Sequence, residues 1–191
     1  MRARQGSDWA TDLGGRHDLE HQVRSALSLD PRLGSLCTRT NSFDRLDFGF
    51  VVAGRRAELE LKAKYQPLSY GWRQLRPDVQ TSDLFVLDEL ALRKITDAGR
   101  FAFLLVWDAP SRRWCLWSSG DLVVASRSRH ARRLDTPAHK TKGKLLFDLS
   151  EAGYIGPCLQ GAIDAMVGTV GHLDLWWADI SPWPSLGASA T

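Results

Sequence analysis

The nearly continuous apolar run at residues 101–107 (FAFLLVW) constrains the fold of this 191-residue chain more than any other stretch. A strand that is apolar on both sides has to be covered on both faces of its sheet. The turn at residues 108–111 and the apolar segment 113–118 (RWCLWS) predict an antiparallel partner strand. We therefore expect an α/β (α+β) fold, with a mixed central sheet flanked by helices.

Helical periodicity predicts a first helix over residues 16–29, ended by Asp30 and Pro31. Its apolar stripe consists of Leu19, Val23, Ala26 and Leu27. The other predicted elements are a strand over 32–40, two strands within 46–64, a helix begun by Ser82 and running to about Ala98, a short helix over 121–133, a strand over 144–149 and a helix over 159–170.

Residues 46–64 (LDFGFVVAGRRAELELKAK) are the one stretch with a chemical signature, and they predict two strands joined by a tight turn. Because strand side chains alternate, Glu60 and Lys62 share one face. A turn of two or four residues centred on residues 54–55 sets Asp47 opposite Lys62 and Gly49 opposite Glu60. The two carboxylates then lie diagonally on one face, with the smallest residue between them, which leaves room for a cation.

Charge is unevenly distributed, although the net charge of the chain is only +3. Residues 112–144 contain nine Lys and Arg and two acids, a net charge of +7, whereas residues 145–191 contain five acids and no Lys or Arg. The basic block is either a phosphate-facing surface or a solvated face. Its candidate nucleic-acid contacts are Arg127, Arg129, Arg132, Arg133, Lys140 and Lys142.

The segment 65–81 interleaves aromatic residues with arginines and contains two prolines. It is either a loop that contacts nucleic acid, through Trp72 and Arg73, or an ordinary surface loop anchored by its own aromatics. Both interpretations are open at this point.

The hairpin resembles the PD-(D/E)XK nuclease superfamily, which has the restriction-endonuclease-like fold. The matching residues are Asp47, the Glu60-Leu61-Lys62 triplet and Glu20 on the preceding helix, at the margin of its apolar stripe. The resemblance covers roughly residues 16–117 and implies an αβββαβ core. Two departures are Leu46, which stands where many members have proline, and the long segment 65–81 before the second helix.

The resemblance implies a Mg²⁺-dependent deoxyribonuclease, with Mn²⁺ as a substitute. Asp47, Glu60, the Leu61 carbonyl and Glu20 would hold the cation, the last directly or through water. Lys62 would orient or deprotonate the attacking water and offset negative charge on the phosphate. The expected activity is that of an endonuclease of a restriction, phage-defence or mobile-element system, with DNA as partner.

Three other interpretations account for parts of the pattern. The first is a non-catalytic nucleic-acid-binding or protein-interaction module whose acidic, Trp-rich C-terminal third docks a partner. The second is an exposed strand whose alternating charges, Glu58 and Lys64 among them, simply make cross-strand ion pairs with a neighbouring strand. The third is a zinc metalloprotease, because His17, Glu20 and His21 match H-x-x-E-H. No downstream helical Glu stands out as a third ligand beyond Glu89. His21 falls almost opposite the apolar stripe, however, which places that site towards solvent.

Composition sets the remaining expectations. Three widely spaced cysteines show neither a zinc nor a disulfide pattern, and no apolar run reaches membrane-spanning length, so we expect a cytoplasmic protein. The expected organisation is a flexible arm (1–15), one nuclease-like domain (16–180) and a disordered tail (181–191). Within the domain we expect a core (16–118), a basic segment (112–144) and a strand and helix extension (145–180), with residues 159–177 as a possible surface for a homodimer or a protein partner.

Overall fold

Two sheets, one of six strands and one of three, organise the chain. The computed structural model describes residues 6–37, 45–68, 70–133 and 141–180. The helices are α1 (Gly6–Leu29), α2 (Tyr70–Arg73), α3 (Glu89–Asp97), α4 (Ser119–Val124) and α5 (Leu159–Ile180), with a 3-10 turn at Leu149–Glu151. The strands are β1 (Leu33–Cys37), β2 (Phe48–Val52), β3 (Arg55–Lys64), β4 (Leu84–Asp88), β5 (Ala102–Asp108), β6 (Arg113–Ser118), β7 (Arg127–Arg133), β8 (Thr141–Asp148) and β9 (Tyr154–Gly156).

The larger sheet is mixed, as predicted, with the strand order β1-β2-β3-β5-β6-β9. All of its neighbouring pairs are antiparallel except β3 and β5, which are parallel. Parallel neighbouring strands need a crossover connection. The crossover from β3 to β5 includes α3, the helix that directly precedes β5. Residues 102–106 of β5 are all buried, which confirms the predicted strand covered on both faces.

Separate layers cover the two faces of this sheet. On one face α1 and α5 pack over a cluster that includes Phe50, Leu59 and Leu105. On the other face α3, α4 and the sheet β4-β8-β7 pack over a cluster that includes Leu104 and Trp117. The C-terminal helix is therefore part of the main core and not an extension of it. None of the helices in the described part of the chain is both long and apolar enough to span a membrane.

The predicted helix over 82–98 is wrong in its first half, because residues 84–88 form β4 and the helix begins only at Glu89. Residues 84–87 (LFVL) are apolar in succession, and β8, about sixty residues later, pairs with β4. Burial on both sides favours a strand there over a helix. The second half of the prediction is confirmed, since Leu92 and Ile95 are buried in α3.

The predicted helix over 121–133 is also wrong in its second half. Helix α4 ends at Val124, and Arg127–Arg133 form the edge strand β7. The side chain and backbone of Ser118 make a capping box with Asp121, which places the start of α4 at Ser119.

Helix α1 begins at Gly6, ten residues before the predicted start of this helix. Glycine weakens a helix without forbidding it, and a helix that has formed extends at little cost. Residues 1–5 and the predicted tail 181–191 lie outside the described residues.

Candidate active site

The β2–β3 hairpin has a different register from the predicted one. Its turn consists of Ala53 and Gly54, which both have positive φ (48° and 78°), as a type I′ turn requires. Gly49 therefore pairs with Glu58, and the predicted pairs of Asp47 with Lys62 and of Gly49 with Glu60 are wrong. The observed turn is one residue earlier, so each strand residue faces a partner two positions away from the predicted one. Because side chains alternate along a strand, a shift of two positions leaves each side chain on the same face of the sheet. If the ladder is continued by one pair beyond Phe48 and Leu59, Asp47 lies opposite Glu60.

Asp47 lies just before β2 and is held against the next strand. Its Oδ2 accepts a hydrogen bond of 2.8 Å from the backbone N–H of Leu61. The N–H and C=O of one strand residue point to the same side, so the Leu61 carbonyl also faces the side on which Asp47 lies. The Asp47 carboxylate and the Glu60-Leu61-Lys62 segment are thus brought together.

Glu60 is the buried carboxylate of this group, with 7% of its surface exposed. Burial raises the pKa of the Glu60 carboxyl, and the negative charge of Asp47 raises it further, whereas the positive charges of Lys62 and Lys94 oppose the increase. The Lys62 ammonium donates a hydrogen bond to Glu60 Oε1. Asp47, Glu60 and Lys62 therefore form one electrostatically coupled group.

Lys94 is the residue that the sequence analysis missed. It lies on α3, the helix that covers the face to which Glu60 belongs, and it directly precedes the buried Ile95. Its position beside the apolar stripe of α3 could be read from the sequence. Its proximity to Glu60 could not, because that depends on the crossover from β3 to β5.

Glu20 lies on the helix that covers the other face of the sheet. Its helix packs over Leu59 and Leu61, on the face opposite Glu60, and Glu20 itself is half-buried. Among the described residues, no three His, Cys, Asp or Glu side chains lie close enough together to hold a metal ion. Asp47 and Glu60 are therefore a pair of carboxylates, and the role of Glu20 stays a prediction.

The other charged residues of β3 make ion pairs, as one interpretation of the sequence expected. Glu58 pairs with Arg56 at 2.9 Å. Lys64 lies opposite Asp108 in the parallel ladder, with 3.4 Å between Nζ and Oδ1. Both members of that second pair are buried, so it is an interior pair and not the exposed one expected.

The predicted basic surface includes arginines with structural partners. Arg127 donates to the carbonyls of Leu122 (2.7 Å) and Val123 (3.0 Å), at the end of α4. Arg129 pairs with Glu89 of α3 at 3.0 Å. In the β7–β8 hairpin, Arg132 is the register partner of Lys142, and Arg133 follows Arg132 on β7. Lys140 lies outside the described residues.

In the segment 65–81, Trp72 is partly buried against Val79, Leu84 and Leu146, which favours a loop anchored by its own aromatics. Arg73 stacks its guanidinium 5.4 Å from the ring centroid of Tyr70. Trp72 thus joins the segment to the smaller sheet, and Arg73 contacts Tyr70 of the same segment, so these contacts do not lead to the Asp47–Glu60 pair.

The predicted zinc motif is not assembled. His17 and His21 are both exposed, as the helical pattern predicted for His21. Glu89, the proposed third ligand, lies on α3 and pairs with Arg93 and Arg129. Since α1 and α3 cover opposite faces of the sheet, Glu89 does not complete a site with the two histidines.

Comparisons with protein-family models, with curated proteins and with solved structures found no match. The functional interpretation therefore depends on the geometry of the residues described above.

Proposed function

We propose that this chain is a metal-dependent nuclease that hydrolyses phosphodiester bonds in DNA. The observation that carries the proposal is the group formed by Asp47, Glu60 and Lys62 at one end of the β2–β3 hairpin. The order of elements is compatible with a restriction-endonuclease-like core. It runs helix α1, strands β1 to β3, helix α3 and strand β5, with β4 and the short α2 inserted before α3.

The carboxylates fit a small divalent cation. Mg²⁺ is commonly held by one or two carboxylates and keeps several waters, so a pair is a sufficient protein contribution. Asp47, Glu60 and the Leu61 carbonyl would hold it. A cation bound there would polarise the phosphate and lower the pKa of a bound water.

Lys62 has the exposure that a residue acting on substrate requires. Its side chain is 30% exposed, whereas that of Glu60 is 9% exposed. In the absence of a cation its ammonium compensates the buried Glu60 charge. With the cation in place, Lys62 would turn to the attacking water or to a phosphate oxygen, where a positive charge stabilises the transition state.

Removing the Lys62 amine tests the proposal. We expect purified protein with Mg²⁺ or Mn²⁺ to cleave DNA, and Lys62→Ala to lower the rate about 100-fold or more, the usual effect of losing a positioned general acid or base. Glu58→Gln is the matched control, because Glu58 lies on the same strand and pairs with Arg56. Circular dichroism checks that each variant folds. Unchanged cleavage by Lys62→Ala would overturn the proposal.

A second function is a non-catalytic interaction module, and one observation favours it. Leu175, near the end of α5, is 70% exposed, and Trp176 beside it is 54% exposed. Large exposed apolar side chains are typical of surfaces that bind a partner or a second copy. Stable binding of DNA with no cleavage of any nucleic acid in Mg²⁺ or Mn²⁺ would favour this function over the first.

A further inference from the structure

Lys94 lies at the margin of the buried face of α3. The helix buries Ala91 and Ile95, among others. Residues three apart are neighbours on the surface of a helix, so Lys94 lies beside Ala91, and it directly precedes Ile95 in the chain. Lys94 is half-buried, whereas Arg93 before it is exposed. Its apolar stem is therefore packed at the edge of the core, a position from which a lysine keeps its ammonium at the boundary with solvent.

The sheet face beneath α3 is the one that carries the candidate active site. Glu60 of β3 is in register with Leu104 of β5, so the two side chains lie on the same face. Leu104 and Ile95 belong to one core cluster, and α3 contacts both strands. Burial raises the pKa of the Glu60 carboxyl, and the positive charge of Lys94 is one of those that oppose the increase. Two lysines, Lys62 from the strand and Lys94 from the helix, thus lie close to the same carboxylate.

The stability of α3 does not account for a half-buried lysine at this position. Arg93 pairs with Glu89 at 3.0 Å, whereas Lys94 makes no ion pair with any residue in the described part of the chain. A cation in the last turn of a helix is favourable, and Lys94 lies in that turn. The exposed position of Asp97, in the same turn, would give a cation this benefit without partial burial of the charge. A negatively charged substrate explains the position of Lys94 better.

The charge of the site provides the reason for a second lysine. Asp47 and Glu60 carry two negative charges, and Lys62 carries one positive charge. With Mg²⁺ bound there the net charge is +1, which balances the single negative charge of a phosphodiester. Attack by hydroxide brings a second negative charge into the transition state. Lys94 supplies the positive charge that matches it, and cations fixed where charge develops are effective in catalysis.

We propose that Lys94 is a second catalytic lysine, which contacts a nonbridging oxygen of the phosphate that undergoes hydrolysis. The inference rests on the proposed nuclease function and adds a catalytic residue to it. In the reaction the hydroxide oxygen forms a bond to phosphorus, and the bond from phosphorus to the sugar oxygen breaks. The attacking water gives its proton to solvent, and the leaving sugar oxygen takes a proton from another water. Lys94 keeps its proton, and its contact strengthens as the phosphate oxygens become more negative.

The first test compares the cleavage kinetics of Lys94→Met with those of Arg93→Met, a matched control one residue away. Methionine keeps an apolar stem and removes the charge, and Arg93 is exposed and pairs with Glu89. We expect Lys94→Met to lower kcat about 100-fold and to change KM less than about threefold, because the lost contact is made in the transition state. Lys94→Arg should restore most of the rate. Arg93→Met should cleave like the wild type, and a Lys94→Met variant that does so as well would overturn the inference.

The pH dependence of the rate separates this role from simple support of the Glu60 charge. If Lys94 acts only through Glu60, its removal raises the pKa of that carboxyl, and the rate recovers at higher pH and higher Mg²⁺ concentration. If Lys94 acts on the phosphate, the loss persists at about pH 9, where carboxylates are ionised and lysines are still charged. Recovery of the Lys94→Met rate at that pH and saturating Mg²⁺ would overturn the inference.

Binding of thymidine 5′-phosphate provides a readout that does not require catalysis. Above pH 7 its terminal phosphate carries about two negative charges, as the transition state does. We expect Lys94→Met to weaken its Mg²⁺-dependent binding about tenfold, measured by isothermal titration calorimetry, and Arg93→Met to leave it unchanged. Unchanged binding by Lys94→Met would overturn the inference. Circular dichroism checks that each variant folds, and Lys94→Gln takes the place of Lys94→Met in both measurements if methionine prevents folding.

The two measurements distinguish this inference from the proposed nuclease function. Cleavage that is lost in Lys62→Ala and retained in Lys94→Met would overturn the role of Lys94 alone. Thymidine 5′-phosphate binding that depends on Lys94, without cleavage of DNA by the wild type, would keep Lys94 as a phosphate contact and end the nuclease proposal alone. A wild type that neither cleaves DNA nor binds thymidine 5′-phosphate would overturn both.

Discussion

Glu60 is a residue whose charge opposes the folding of the chain. Moving a carboxylate from water to a buried position favours its neutral form, and the neighbouring Asp47 charge acts in the same direction. Lys62 and Lys94 offset part of that penalty. A buried acid with a raised pKa beside a second acid is typical of functional sites, where stability is lower than it could be.

Replacing Glu60 by glutamine is therefore expected to stabilise the protein at neutral pH. A raised folded-state pKa means that the folded chain binds more protons than the unfolded chain above pH 4.5, so the Glu60 contribution to stability falls as the pH rises through the raised pKa. We expect Glu60→Gln to gain on the order of 1 kcal/mol at pH 7, about 2–4 °C in melting temperature. The gain should disappear below pH 4.5.

Glu58→Gln is the control for that measurement, since Glu58 pairs with Arg56 nearer the turn. Added Mg²⁺ should raise the melting temperature of the wild type and of Glu58→Gln but not of Glu60→Gln, because a ligand that binds only the folded state stabilises it. A Glu60→Gln variant that is less stable than the wild type at pH 7 would contradict the destabilising role of this carboxylate.

The prediction at Asp47 shows which part of a hairpin the sequence determines. Alternation alone predicted that Asp47 and Glu60 share a face, and any turn with an even number of residues preserves this. The exact partners depended on which two residues form the turn. Ala53 takes a positive φ, which alanine rarely adopts, so residue types alone do not indicate a turn at this position.

At the scale of elements, a buried ionic network ties four segments together. Lys64 at the end of β3 lies 3.4 Å from Asp108 at the end of β5 and also donates to the Ser82 carbonyl. Arg113 at the start of β6 donates to Asp108 at 3.0 Å and pairs with Asp83. The network fixes the parallel β3–β5 pair, which carries the candidate active site, to the segment that leads into β4.

Asp108→Asn and Lys64→Met should differ in their effects on this network. Asp108→Asn leaves the buried Lys64 ammonium without its carboxylate, and breaking a buried pair in this way costs about 3–5 kcal/mol. Lys64→Met should cost only about 1–2 kcal/mol, because Asp108 keeps its bond to Arg113 and the methionine stem is apolar. Urea unfolding measures both. Equal losses would mean that Lys64 is not the group that depends on Asp108.

The elements that sequence patterns predicted are those whose burial is local. Residues 101–107 are apolar on both sides, and the strand β5 is present as predicted. Strand β4 depends on β8, which follows it by about sixty residues, and β7 depends on the same strand. At β4 and β7, pairing with a distant segment determines that the residues form a strand and not a helix. Local propensity does not report such pairing.

At the scale of the whole molecule, the described residues bring Asp47, Glu60 and Lys62 together in one group at the β2–β3 hairpin. The proposed nuclease then has one catalytic centre per chain. One such centre hydrolyses one phosphodiester bond per encounter, whereas breaking a duplex requires two. A nuclease with one centre would therefore either act twice on the same DNA or act as a pair of copies, for which the exposed Leu175 on α5 offers a surface.

We expect the monomer to nick a supercoiled plasmid first and to produce linear DNA only from the nicked form. The nicking rate should rise in proportion to protein concentration, since one centre suffices for each event. Gel electrophoresis of a time course separates the supercoiled, nicked and linear forms.

If linear DNA forms without a nicked intermediate, and its rate rises with the square of the protein concentration, two copies act together. Leu175→Ser should then restore single-strand nicking if α5 joins the copies. The same substitution should leave a monomer's rate unchanged, because Leu175 is exposed and its neighbour Asp174 pairs with Arg55, at the turn end of the β2–β3 hairpin and not at Glu60.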